Sequence, residues 1–150
     1  LAVSADFRKA VYTMIQKFLP IEMQLTYQVD GEPLEQLPNG YSDHYVLDGF
    51  ERDYEQGYDD AQAFLHVYTD IMTNDFYTVS CAIVQNQNQK ELFDNEHTKY
   101  RKVKMGDVEA LLGEDKNTGY YLIWEDEGIT HTIIGRISIK ELMLVAQKIY

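Results

Sequence analysis

Cysteine, basic charge, proline and long apolar runs are all scarce in this 150-residue chain. Cys81 stands alone, so no intrachain disulfide is possible, and a zinc site would have to be built without paired thiolates. One cysteine suits a reducing cytosol and equally an exported protein of an organism that uses few disulfides. Thirteen Lys and Arg face 25 Asp and Glu, a formal net charge of −12. That surface repels phosphate backbones and offers no basic cluster to offset the repulsion, which sets aside nucleic acid and direct binding to anionic lipid. No apolar run approaches the ~20 residues of a membrane span. The opening LAVSADFRKA lacks the basic-then-apolar order of a signal peptide. The chain starts at Leu1 and reads as a trimmed segment, so a membrane contact is expected only through a segment upstream of it. The nine glycines never fall in GxGxxG or GxxxxGKS/T spacing, which excludes the common nucleotide cradles. No linker-like composition shift or internal repeat divides the chain.

What is present is enough to build a core. Hydrophobic residues make up 45% of the chain, twelve of the aromatics being tyrosine. A chain this long forms one domain, residues 1–150, and buries roughly 70% of the surface its unfolded form exposes.

SADFRKAVYTMIQKF predicts an amphipathic helix over 4–18. Ser4 stands at the N-cap, Asp6 in the first turn, and Phe7, Val11, Met14, Ile15 and Phe18 form the apolar stripe before Pro20. EMQLTYQV alternates as a half-buried strand ending at Asp30-Gly31. After a two-proline loop and the Asn39-Gly40 turn, YSDHYVLDGFERDYEQ reads as one long strand, bulged near Gly49. AQAFLHVYTD and DFYTVSCAIVQ are two strands about a turn at Thr73-Asn74-Asp75, the first with a helical alternative. In the second, Tyr77, Val79, Cys81 and Ile83 share a face. NQNQKELFDNEHTK is expected to be a loop pinned by Leu92 and Phe93. From Tyr100 a meander follows: YRKVKM, a turn at Gly106-Asp107, VEALL, the loop GEDKNTG, YYLIWE, the turn DEG, and ITHTII.

Ser138 and Glu141 then form a capping box, with Ile137 and Leu142 as its hydrophobic staple, and open a helix over 138–149. Its apolar face is Ile139, Leu142, Met143, Ala146 and Ile149. The fold class expected is α+β: an antiparallel sheet of about six or seven strands, rich in meanders, with an N-terminal and a C-terminal helix packed against it.

No catalytic residue, cofactor or metal ligand stands out. Carboxylates cluster in DYEQGYDD, LFDNEHT, GEDKNTG and WEDEG, where paired acids could run glycoside hydrolysis or bind calcium, but none has EF-hand spacing. Acidic turns are also the ordinary surface of an acidic protein. His44, His66, His97 and His131 form no HxH or HExxH. His66 and His131 lie in strands and could be spatial neighbours sharing a metal, against the commoner packed strand histidine. Cys81 with a distant histidine could be a nucleophile pair, but VSCAIV lacks a glycine elbow or helix start to activate it. Tyr41, Tyr45, Tyr54, Tyr58 and the pair Tyr120 and Tyr121 offer flat faces with polar tips, for a ligand groove or for sheet packing. Tyr41, Tyr45, Tyr120 and Tyr121 are the candidates for such a groove. Trp124 is expected in the core.

FRKAVYTMIQKF, LPNGY, YTVSCAIVQ and the run from Val103 to Tyr150 resemble domain of unknown function 4367. The carrying motifs are a short apolar strand ending at Gln85, the Leu122-x-Trp124 strand, an acidic-Gly turn and a Gly-x-Ile-Ser helix entry. The likeness implies an extracytoplasmic domain of a membrane-anchored protein from a Gram-positive bacterium, at the outer face of the cell membrane, with the first helix as its stalk. It carries no agreed activity. The leading expectation is a non-enzymatic sensing or interaction domain with an unknown protein or small-molecule partner. A binder of peptide, glycan or lipid on the tyrosine-rich sheet face is the alternative, and a carboxylate-dependent hydrolase the third.

Overall fold

Two-residue alternation governs this chain far more than helical spacing does. The structure, a computed structural model, describes residues 11–18, 22–85 and 89–150. Among them run the strands β1 (Val11–Phe18), β2 (Glu22–Asp30), β3 (Phe50–Arg52), β4 (Tyr58–Asp59), β5 (Ala63–Asp70), β6 (Phe76–Ile83), β7 (Gln89–Asp94), β8 (Thr98–Met105), β9 (Val108–Asp115), β10 (Gly119–Asp126) and β11 (Ile129–Gly135). One helix, α1 (Ile139–Ala146), closes the order. A three-stranded sheet has the order β1-β2-β7. An eight-stranded sheet runs β3-β5-β6-β11-β10-β9-β8, with β4 also on β5. All pairings are antiparallel.

The large sheet is sandwiched. On one face α1 and the segment 34–47 cover Tyr77, Val79, Cys81, Leu112, Leu122, Trp124 and Ile133. On the other face β2 sets Met23, Leu25, Tyr27 and Val29 against Leu111 and Ile123. β9 and β10 therefore carry near-continuous apolar runs, since both of their faces are covered.

Several expectations need correcting. The helix over 4–18 is not formed across Val11–Phe18, which is strand β1 in eight-residue register with β2; residues 4–10 lie outside the described residues. β-branched and aromatic residues dominate VYTMIQKF, and strand pairing supplies what an isolated helix would lack. The supposed stripe is split, with Ile15 and Phe18 exposed and Gln16 half-buried. The sheet of six or seven strands is instead two sheets, of three and eight strands.

YSDHYVLDGFERDYEQ is irregular except for β3, because Gly49 adopts φ +85 and the chain turns there. The polar stretch after Asn88 is no loop: Gln89–Asp94 forms β7, which β2 recruits as an edge partner. The helix ends at Ala146, short of 149, because the chain then turns to pair Ile149 with Asp43. AQAFLHVYTD is a strand, and the predicted meander and capping box are both present.

Candidate functional site

Tryptophan and histidine meet where β10 and β11 pair. Trp124 and His131 are register partners, and their rings stack with centroids 4.5 Å apart and planes 2° apart. His131 is also the cross-strand partner of Cys81 on β6, which in turn faces Phe64 on β5. The irregular segment after Gly40 brings Tyr41 over this row, its hydroxyl 2.5 Å from His131 Nε2. Burial depresses His131 to about 4, and burial raises Tyr41, so both are neutral. The Tyr41 O–H donates and Nε2 accepts, which places the ring proton on Nδ1. That nitrogen is buried and makes no well-formed hydrogen bond among the described residues.

Over this aromatic floor opens a cleft of about 500 Å³, between the β8–β9 turn and α1. Met105, Val108 and Met143 give it apolar walls, while Lys104, Asp126 and Gln147 add polar groups at one site. Burial and the neighbouring Glu127 push the Asp126 carboxyl up. The volume and the few polar groups on an apolar wall match a small-molecule site.

A second constellation surrounds His66. Its Nδ1 is 2.7 Å from Asp43 Oδ1, and its Nε2 is 2.6 Å from Asp59 Oδ1. Tyr68 O–H donates to Asp43 Oδ2, and Arg52 Nη2 donates to Asp59 Oδ2 at 2.9 Å. With a carboxylate on each nitrogen, His66 is an imidazolium: burial alone would lower it, but the bonds to Asp43 and Asp59 outweigh burial and raise it. Asp43 is held below the usual carboxylate range, burial being outweighed by His66 and Tyr68. Neither ring nitrogen is left to bind a metal or take a proton. The cluster instead ties segment 41–47 to β5, and the Asp43–Ile149 bridge carries that tie to the C-terminus.

His66 and His131 thus share a sheet face but are two strands apart, roughly 9–10 Å across the sheet. Among the described residues no group of three or more His, Cys, Asp or Glu is placed to hold a metal. Cys81 does lie beside a histidine, a proximity that sequence spacing could not show. Burial pushes its thiol up, however, so no thiolate is available there at neutral pH.

The four candidate tyrosines do not form one groove. Tyr41 lines the cleft, Tyr45 and Tyr120 pack along the α1-covered face, and Tyr121 faces β2, accepting a bond from Thr118 Oγ1 at 3.1 Å. The adjacent residues Tyr120 and Tyr121 necessarily point to opposite faces of a strand. Sequence reasoning missed Lys104, Met105 and Gln147 as lining residues. The turn at Gly106-Asp107 and the apolar face of the last helix were their only signals. Of the acidic turns, WEDEG lends Glu125 and Asp126 to a hollow of about 370 Å³ beside β1, which Asp107 and Glu109, from the β8–β9 turn and β9, also border.

A family model matches residues 40–149. The chain belongs to the family described as domain of unknown function (DUF4367). The matched span holds the large sheet, α1, both histidine constellations and the cleft, and leaves β1 and β2 outside. No curated protein and no solved structure matches the chain.

Proposed function

We infer that this domain is a non-enzymatic recognition module that takes a small amphipathic ligand in the cleft beside α1. The observation that carries this reading is the cleft's lining: a stacked Trp124–His131 floor with Lys104, Asp126 and Gln147 above it. An aliphatic or flat body would lie on Trp124, and a polar end would meet Asp126 or Gln147. Short peptides and glycan fragments have that form, as do fatty acids. The tyrosine contribution narrows to Tyr41. In the native protein the module senses its ligand outside the cell, tethered through a segment upstream of Leu1; the family resemblance supports this part.

A thermal-shift panel of short peptides, oligosaccharides and fatty acids tests the binding. A ligand at one hundred times its Kd adds about 2.7 kcal/mol, a shift of several degrees for a domain this size. Met143→Trp fills the cleft and is expected to abolish the shift while the far-UV spectrum is retained. A flat response of the native protein to every class, or an unchanged shift in Met143→Trp, overturns the reading. Protease accessibility of the full-length protein on intact cells tests the extracytoplasmic placement.

The hollow lined by Asp107, Glu109, Glu125 and Asp126 favours one second reading, carboxylate-dependent hydrolysis. It requires turnover of chromogenic glycosides that Glu125→Gln eliminates. Absence of turnover by the native domain removes it.

A further inference from the structure

Scarce basic residues are unevenly spent in this protein. Four of the thirteen lie on the eight residues of β8: Lys99, Arg101, Lys102 and Lys104. The expectation that the chain has no basic cluster fails here, since the four fall within residues 99–104, and the fold gives this strand a special place. β8 ends the large sheet, pairing with β9 on one side and with no strand on the other among the described residues. Its outward N–H and C=O groups are thus available to another backbone. All four basic residues are exposed. Lys102 lies 3.4 Å from Glu109, whereas Lys99, Arg101 and Lys104 have no ion-pair partner among the described residues. Beside the strand, on the α1-covered face, Lys99, Arg101, Leu112, Glu114 and Tyr120 line a hollow of about 230 Å³.

We propose that β8 is a docking edge for an extended acidic peptide segment, which adds as a further strand to the large sheet. Alternate residues of such a strand face opposite sides of the sheet. Those on one side come within about 5 Å of Lys99 and Arg101 and reach the hollow beside Tyr120; those on the other meet Lys104. Backbone pairing supplies affinity, and the charges choose the sequence that pairs. Lysines on an edge strand ordinarily block addition by other chains. Here the block falls on basic and neutral strands and spares acidic ones. The net charge of −12 does not prevent this, because charges beyond a Debye length of ~8 Å are largely screened at physiological salt. A nucleic acid or lipid headgroup could meet the cations but has no peptide backbone to pair with the edge. Glu114, the register partner of Lys99, disfavours an acid directly over it and places the strongest selection at Arg101 and Lys104.

The test is fluorescence anisotropy with an alternating Glu-Val octapeptide, its Lys-Val counterpart, and a Glu-Val peptide N-methylated on alternate amides, coupled to hydrogen exchange of the domain. The Glu-Val peptide is expected to bind with new protection confined to β8 and the adjoining β9. Affinity is expected to fall at least tenfold for the N-methylated peptide and for the Lys99→Glu/Arg101→Glu/Lys104→Glu variant, whose fold is checked by its unfolding midpoint. That variant is expected to prefer the Lys-Val peptide. Equal binding of the N-methylated peptide shows charge attraction alone and overturns the proposal, as does failure of the Glu-Val peptide to bind. Protection of β8 that grows with protein concentration, peptide being absent, assigns the edge to a second copy and overturns it equally.

Discussion

Two histidines in opposite surroundings contribute with opposite sign to how the stability of this domain responds to pH. His131 is neutral in the fold, lowered by burial from 6.5 to about 4. Between those values the unfolded chain binds the extra proton, so stability rises with pH across that window, by on the order of 3 kcal/mol in all. His66 behaves in reverse. Its folded value lies above 6.5, so its contribution is complete below 6.5 and is lost as pH rises through the raised value. Guanidinium unfolding from pH 4.5 to 9 is expected to give a dome. His131→Gln should flatten the acid limb. His66→Gln should flatten the alkaline limb and cost roughly 3–5 kcal/mol near pH 6, because it leaves Asp43, with 1% of its side chain exposed, without its cation. Neither role was legible in the sequence. The partners of His66 are 23 and 7 positions away, brought in by an irregular segment and a two-residue strand that no period announces.

At the scale of elements, local chemistry decides ends more than middles. The capping box at Ser138 and Glu141 is formed in both directions, at 3.0 and 3.1 Å. Ser138→Ala is expected to cost about 1 kcal/mol, read as a lower denaturation midpoint with an unchanged m-value. Gly135, where β11 ends, answers to packing instead. A Cβ there would stand 2.4 Å from Tyr77 Cβ and 2.6 Å from the Phe76 carbonyl oxygen, neither of which is a flexible side-chain tip. Gly135→Ala is therefore expected to cost the upper part of roughly 1–3 kcal/mol, or more if the β6–β11 pairing has to part. The same strand scale explains the misread first segment. Val11, Met14, Ile15 and Phe18 satisfy helical spacing as numbers, but β2 offers eight register partners, and pairing overrode the period.

For the whole molecule, the relevant fact is that the two cores share strands. Leu111 and Leu112 are neighbours on β9, and Leu122 and Ile123 on β10, yet each pair is divided between the two faces of the large sheet. Disrupting one core moves the backbone that holds the other. Leu25→Ala, beneath the small sheet, and Leu142→Ala, under α1, are each expected to cost about 2–5 kcal/mol. Both should lower one coincident transition, followed by Trp124 fluorescence and far-UV dichroism alike. Two separated transitions in either variant would show that the layers fold independently.

The alternation in EMQLTYQV, YTVSCAI and the closing meander, with the turn residues between them and the Ser138 cap, was enough to determine most of the strands and the last helix. Those features act between residues a few positions apart, where pleat, turn geometry and capping leave little choice. Only the tertiary structure decided that the strands divide into two sheets, that Tyr41 meets His131, and that Lys99, Arg101 and Lys104 lie along a free edge. Each of these depends on strand order, and a strand's own period is the same whichever neighbour it pairs with.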